Sequence, residues 1–251
     1  MASWIHCNQG TALACLYNLI LMKYLKDIKN WKEMINEVIC GDCLEGMKLI
    51  PDNAIDLVLT DPPYNQKYHY DKYSDALQDA EYIDFMKGRI KKPCVIINYP
   101  ENIIKYFVPF LGVPDEIVAW VYNAHTPKKF RLICWWGIKP NFNRIKQPFK
   151  NPKDKRILNK EGASLYDWWQ IEQVKNVSKE KTDHPCQIPL ELIKRIITLT
   201  TDKGNLICDP FMGSWTTARA CKDLGRDFIG FELSEDYCKI GESRLAQMNL
   251  F

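Results

Sequence analysis

Val58-Leu59-Thr60-Asp61-Pro62-Pro63-Tyr64-Asn65 is the stretch that decides the fold. An apolar run from Ile55 to Leu59, broken only by Asp56, stops at an acid, two prolines and an aromatic residue. A buried strand therefore delivers a stiff, polar loop to its carboxyl end, which is where open α/β sheets place their ligands. Two successive prolines remove two backbone donors and hold φ near about −65°, so their carbonyls are free to accept hydrogen bonds. An acceptor side chain, free carbonyls and a flat ring suit a planar group that carries an amine. Asp61, Pro62, Pro63 and Tyr64 are accordingly the candidate catalytic residues.

A second segment supplies a different half of a site. The short apolar strand Asn205 to Cys208 runs into Asp209-Pro210-Phe211-Met212-Gly213-Ser214-Trp215-Thr216-Thr217, and a helical stretch follows to Leu224. Gly213 and Ser214 can open a tight turn at that helix N-terminus, where exposed N–H groups and the helix dipole favour a carboxylate. The next strand, Asp227 to Phe231, ends in Glu232, 23 residues beyond Asp209. An acid about twenty residues past a glycine turn is placed to reach ribose hydroxyls from a neighbouring strand end. Strand, glycine turn, helix, strand and acid make a nucleoside-cofactor half-site.

Taken in order, four blocks resemble the DNA amino-methyltransferases that use S-adenosyl-L-methionine, in the subgroup where D-P-P-Y precedes the cofactor motif. They are Ile39 to Glu45, Asp56 to Asn65, His184 to Pro189 with Leu190-Glu191-Leu192, and Asp209 to Thr217 running on to Phe231-Glu232-Leu233-Ser234. The resemblance covers residues 35–245. It implies an α/β fold, a methyltransferase Rossmann-like seven-stranded, mostly parallel sheet with helices on both faces. It also implies transfer of a methyl group to the exocyclic amine of a base flipped out of double-stranded DNA. By resemblance Phe211 lies near the methionine part of the cofactor, and Asp209 with the Gly213 turn and Ser214 holds its polar end. Glu232 takes the ribose hydroxyls, Asp42 lies near the adenine, and His184 belongs with the cofactor-binding residues. Two positions depart from the pattern: Trp215 stands where the family usually has glycine, and Ile188 where it usually has lysine.

Adenine N6 is the expected target, because resembling cytosine-N4 enzymes more often carry serine at the position of Asp61. Cytosine-N4 transfer is the runner-up, and a DNA-binding homologue with impaired catalysis is a reading of another class that Trp215 leaves open. Protein-glutamine and RNA methylation fit less well, since those relatives usually place the cofactor motif first.

Composition agrees with an enzyme that buries a full core. The chain has 251 residues, 46% of them hydrophobic, and a formal net charge of +3, enough for one α/β domain with an inserted lobe. Charge is unevenly spread. From Ala124 to Lys160 eleven bases face the single acid Asp154. Phe130, Trp135, Trp136, Phe142 and Phe149 are interleaved with them, bases for phosphates and aromatics for stacking or local core; the segment also falls where the resembling enzymes carry their target-recognition region, so the resemblance makes residues 124–183 the candidate for it.

Residues 34–251 form the expected methyltransferase domain, and residues 1–33 a helical extension. Thr11 to Met22 is uncharged and mostly apolar, but it is too short for a bilayer span and has no basic segment before it. A helix packed on the core or on a second subunit fits better. Of ten cysteines, Cys94, Cys134, Cys208 and Cys238 sit in apolar runs or on a helical stretch, as buried reduced thiols of an intracellular, cytoplasmic protein do. Cys40-x-x-Cys43 has no second pair, so no metal is expected. The expected partner is double-stranded DNA, with a second copy of the chain and a cognate restriction endonuclease as further candidates and no membrane.

Candidate strands are Glu37 to Cys40, Ile55 to Thr60, Cys94 to Asn98, Ile117 to Tyr122, Asn205 to Cys208 and Asp227 to Phe231. Candidate helices are Tyr82 to Ile90, Asn102 to Leu111, Pro189 to Thr200, Trp215 to Leu224 and Glu235 to Gln247. Their alternation predicts a mostly parallel sheet covered on both faces.

Overall fold

The computed structural model describes residues 22–67, 75–124, 127–151, 153, 161–176, 178 and 180–246. Strands that read as unbroken apolar runs lie buried in the middle of a nine-stranded sheet. They are β2 (Glu37–Cys40), β3 (Leu57–Thr60), β4 (Cys94–Asn98), β10 (Leu206–Asp209) and β11 (Asp227–Glu232). Such runs are the signature of strands covered on both faces. Successive residues alternate between two cores: Leu57 and Leu59 point to one, Val58 between them to the other.

Helices α4 (Leu190–Thr200), α5 (Thr216–Leu224) and α6 (Glu235–Ala246) bury Ile193, Ile197, Ala218 and Cys238 against the first face. On the second lie α1 (Cys43–Lys48), α2 (Asp79–Lys87) and α3, a continuous helical run of Pro100–Asn102, Ile103–Phe107 and Val108–Leu111, contributing Met47, Tyr82, Met86 and Phe107. The middle segment of α3 has π geometry.

Sheet order is β1-β2-β11-β10-β3-β4-β6-β5-β9, where β1 is Lys23–Tyr24, β5 Glu116–Val121, β6 Phe130–Trp136 and β9 Trp168–Gln170. Every pairing is parallel except those made by β6, which is antiparallel to both β4 and β5. The expected seven strands are the central seven, and the short strands β1 and β9 extend the two edges. From β3 the chain moves outward to β4, whereas from β10 it moves the other way to β11. The crevice between β3 and β10 is thus the point where strand succession reverses, the place such sheets bind ligands.

Two expectations change here. Phe130–Trp136, assigned to the target-recognition region, is a core strand, and Trp135 and Trp136 are fully buried, one in each core. Its run of aromatic and branched residues is good strand sequence; the neighbouring lysines obscured it. Of the N-terminal extension, residues 1–21 lie outside the described residues, and residues 23–34 form β1 and two 3₁₀ turns, Leu25–Asp27 and Trp31–Met34. Outside the sheet, a small two-stranded ribbon pairs β7 (Lys146–Gln147) with β8 (Ala163–Ser164). Cys94, Cys134, Cys208 and Cys238 are buried free thiols. Among the described residues no helix is long and apolar enough to cross a membrane.

Candidate functional site

One cleft of about 360 Å³ opens at the carboxyl ends of β3, β10, β11 and β2, and all eleven sequence-nominated residues line it: Asp42, Asp61, Pro62, Pro63, Tyr64, His184, Asp209, Phe211, Gly213, Ser214 and Glu232. A volume in this range accommodates a cofactor-sized molecule.

Asp61 follows β3 directly. The Tyr64 hydroxyl donates to its Oδ1, and the Arg131 guanidinium faces Oδ2 at 3.9 Å, beyond hydrogen-bond length. Among the described residues neither Oδ2 nor the Pro62 carbonyl accepts a hydrogen bond. Burial pushes the Asp61 carboxyl up to about 6, with Arg131 and Tyr64 pulling the other way and Asp209 adding repulsion. The loop around it is pinned from both sides. Tyr82 donates its hydroxyl to the Pro63 carbonyl, and Asn102 donates Nδ2 to the Tyr64 carbonyl at 3.0 Å. Beyond Tyr64 the buried carboxylate of Asp75 accepts the N–H of Asn65 (2.7 Å) and of Gln66 (2.9 Å), and Asn65 exchanges two bonds with Leu77. The acceptors are therefore preorganised rather than floppy.

Asp209, on the adjacent strand, acts as a strut. Its Oδ1 accepts from Thr60 (2.9 Å) and the Phe211 N–H (3.1 Å), and its Oδ2 accepts from Thr217 (2.6 Å). One carboxylate so ties β3, β10 and α5 together across the reversal point. Burial raises it to about 6 despite these three donors. Glu232 is anchored likewise: Oε2 accepts the Gly213 N–H (2.9 Å) and Oε1 the Ser234 N–H (2.8 Å), while burial lifts it to about 7. A carboxylate has about four acceptor sites, so two remain for a ligand. The Gly213 N–H, expected to greet a cofactor carboxylate, is instead spent on Glu232.

Gly213 has φ +50°, and a Cβ there would meet His184 Nε2 at 3.0 Å. Only glycine fits this turn without strain. His184 accepts the Cys186 N–H at Nδ1 (3.3 Å) and stands edge-on to Tyr237, ring centroids 4.5 Å apart. Burial, with Lys181 and Arg244 adding to it, lowers it to about 4, so the ring is neutral at physiological pH. The hydroxyls of Ser214 and Thr216 are 3.0 Å apart beside Arg244, which donates to Thr216 Oγ1 and the Ser214 carbonyl, both at 2.8 Å.

At the other end Asp42 caps α1 by accepting the Leu44 N–H (2.7 Å), and both its oxygens accept from Arg89 at 3.1 Å. The Arg89 guanidinium lies 3.7 Å from the centre of the Phe85 ring, and Phe85 meets Phe211 at 6.0 Å. Two rings and a guanidinium make a flat wall, suited to a planar heterocycle.

Trp215 takes no part in the cleft. It caps α5 in the left-handed conformation, φ 60° and ψ 29°, and its indole is buried against Gly241 of α6. Ile188, the other departure, lines the cleft and is buried.

Sequence reasoning missed Thr60, Asp75, Phe85, Arg89, Thr217 and Arg131. Thr60 precedes Asp61 directly and Thr217 lies eight residues beyond Asp209, and both hydroxyls donate to Asp209. Arg131 counts among the phosphate-binding bases in the sequence, but it is a partly buried residue of β6 that lines the cleft.

Donor chemistry at the cleft fits a cation. Three carboxyls raised by mutual burial gain from a positively charged ligand, and the flat wall and glycine turn supply places for a base and an amino-acid tail.

The family model described as DNA methylase matches residues 92–243. Among curated relatives, the type II methyltransferase M.BglII of Bacillus subtilis is 30% identical over 83% of this chain and 68% of its own. Among solved structures, the PvuII DNA methyltransferase, titled cytosine-N4-specific, superposes with a TM-score of 0.62 at 17% identity, covering 84% of this chain and 90% of that one. A structure titled as the M1.HpyAVI–SAM complex gives a TM-score of 0.53 at 25% identity, covering 82% and 98%.

Proposed function

Because the chain belongs to the DNA methylase family, whose methyl donor is S-adenosyl-L-methionine, we propose that it methylates the exocyclic N6 amine of an adenine flipped out of double-stranded DNA. The observation that carries this reading is the pair of acceptors at the carboxyl end of β3, Asp61 Oδ2 and the Pro62 carbonyl, unengaged among the described residues and in the same cleft as Asp209 and Glu232.

The cofactor, when bound, supplies an electrophilic sulfonium methyl group. The chain supplies orientation. Asp61 and the Pro62 carbonyl accept the two amine hydrogens, which draws the nitrogen lone pair out of conjugation and aligns it for in-line attack. Held by Asp61 and the Pro62 carbonyl, the amine nitrogen would take the methyl group that the cofactor supplies and release its surplus proton to water. Asp61 stabilises the positive charge that develops on the amine. Tyr64 stacks on the base and offsets part of the few kcal/mol that flipping costs. Asp42, Phe85 and Arg89 hold the adenine end of the cofactor together with Phe211, whose place beside Phe85 moves it there from the methionine part that the resemblance implies; Glu232 holds the ribose, and the turn at Asp209, Gly213, Ser214 and His184 the amino-acid end.

Residues 34–251 form the methyltransferase domain, and the portion of 124–183 outside the sheet reads the target. Support comes from a shallow groove lined by Pro148, Phe149, Lys150, Tyr166, Asp167 and Trp168, where the half-exposed rings of Tyr166 and Trp168 stack 6.2 Å apart beside the lysine. A cytoplasmic setting, with a second copy of the chain or a restriction endonuclease as partner, accords with a restriction-modification role.

Cytosine N4 is the second reading, favoured by the fold neighbour titled cytosine-N4-specific. Asp61 in place of serine favours adenine. The non-catalytic alternative loses its motive, since Trp215 packs on Gly241 away from the cleft. Incubating the protein with DNA and labelled cofactor, then digesting to nucleosides, tests the assignment. N6-methyladenine is expected; N4-methylcytosine would transfer the assignment to cytosine, and no labelled nucleoside would reject it.

A further inference from the structure

Arg131 is an arginine in an unusual setting. It lies on β6 opposite Trp120 of β5, with its side chain only 13% exposed. Its guanidinium carbon stands 5.0 Å from the centre of the Tyr64 ring, 5.2 Å from Trp120, 5.4 Å from Tyr99 and 5.8 Å from Tyr122. Among the described residues its Nε is buried without a hydrogen-bond partner. Burying a guanidinium N–H unmet is costly, and among the described residues the four rings and the Asp61 charge compensate. A side chain kept in so expensive a place has work to do at that place.

The spacing to Asp61 indicates what the work is. A structural Arg–carboxylate pair closes to about 2.7–2.9 Å with two parallel bonds. Here the approach stops at 3.9 Å. The cation is near enough to favour the charged carboxylate, yet too far to occupy Oδ2. The groups facing Asp61 are Arg131 from β6, Tyr64 from its own loop and Asp209 from β10, and of these Asp209 opposes ionisation.

We propose that Arg131 is a positioning residue for methyl transfer: caged by four aromatic rings, it holds the Asp61 carboxylate ionised and aimed while leaving Oδ2 free for the amine. This rests on the methyltransferase reading above. Lysine would keep the charge but lose the planar fit to the rings.

The test compares wild type, Arg131→Met and Arg131→Lys by transfer of labelled methyl to DNA between pH 5.5 and 9, with cofactor affinity by calorimetry. A carbon-13 carboxyl NMR titration of the intact protein, assigned with Asp61→Asn, runs in parallel. In R131M the Asp61 titration and the acid limb of the kcat profile should both move up by roughly one pH unit or more, the size of a nearby-cation effect. The rate loss should be deepest at low pH, and cofactor affinity should stay within about two-fold. R131K should keep the titration of wild type while lowering kcat. An Asp61 titration unmoved in R131M, or a loss equal at every pH, would overturn the proposal. Should R131M not fold, a displaced titration in R131K would do so. A wild type that transfers no methyl group refutes the methyltransferase reading, whereas the NMR arm still decides whether Arg131 governs Asp61.

Discussion

The indole of Trp215 packs against Gly241 of α6, where a Cβ would come within 2.0 Å of the ring. This pairing explains how a bulky residue stands where related sequences usually have glycine. The turn requires the left-handed backbone, which glycine adopts freely and tryptophan does not. Burial of the ring on a matching glycine compensates the strain.

Gly241→Ala should therefore destabilise the protein by about 1–3 kcal/mol, the usual cost of overpacking. Trp215→Gly should cost about 2–4 kcal/mol, the loss of a buried indole less about 1 kcal/mol regained from the backbone. Cofactor affinity should not change in Trp215→Gly. Urea unfolding and calorimetry on the same preparations check both statements; tighter cofactor binding in the glycine variant would put the indole back in the cleft.

Glu232→Ala should weaken cofactor binding by roughly 1.5–3 kcal/mol, the range for hydrogen bonds to a charged group. It also leaves the Gly213 and Ser234 N–H groups without their acceptor, so the glycine turn should loosen. Saturating cofactor should restore much of the rate. Equal affinity in wild type and variant would confine Glu232 to a structural role.

Asp61, Asp209 and Glu232 titrate at about 6, 6 and 7, all above the ordinary carboxyl range because of burial. The folded, ligand-free protein thus holds more protons than the unfolded chain between about pH 4 and 7, and stability from these groups falls as pH rises through that window. A cationic ligand favours the ionised forms. Cofactor affinity should accordingly rise from pH 5 to pH 8, with protons released on binding near pH 6. Calorimetry in buffers of different ionisation enthalpy measures the release; proton uptake would contradict this electrostatic account.

Reversing charge at Lys150, Lys153 and Lys155 should weaken DNA binding and flatten its salt dependence, by about 0.9 in the log–log slope for each phosphate that is no longer neutralised. Lys155 lies outside the described residues; Lys150 borders the groove beside Tyr166 and Trp168. Base preference should persist if these lysines only position the backbone. An unchanged slope would move the DNA-binding face elsewhere.

Much of the site was legible because its chemistry is local. Asp61 and Asp209 each follow an apolar run, so strand and loop could be read together, and the parallel sheet brings the two ends side by side. Less legible was whatever depends on distant pairing. Arg131 reads as a surface base until β6 is seen to run antiparallel between β4 and β5. Asp75 and Arg89 belong to no motif; only the folded loop shows the first holding Asn65 and Gln66, and the second holding Asp42. Glu232 is expected to take ribose hydroxyls, and its bond to Gly213 appears only once β10 and β11 are paired. Periodicity could not distinguish the buried Trp135 and Trp136 from stacking aromatics, because both uses favour the same residues.

The central claim is that Asp61 directs methyl transfer to an adenine amine in DNA. Sequencing modified bases in DNA from cells that express wild type or Asp61→Ala, with cofactor affinity measured on both proteins, tests it most directly. N6-methyladenine should appear at one recurring sequence with wild type and vanish with the variant, while affinity stays within a few-fold. Methylation that survives in Asp61→Ala, or that is absent with both proteins, would contradict it.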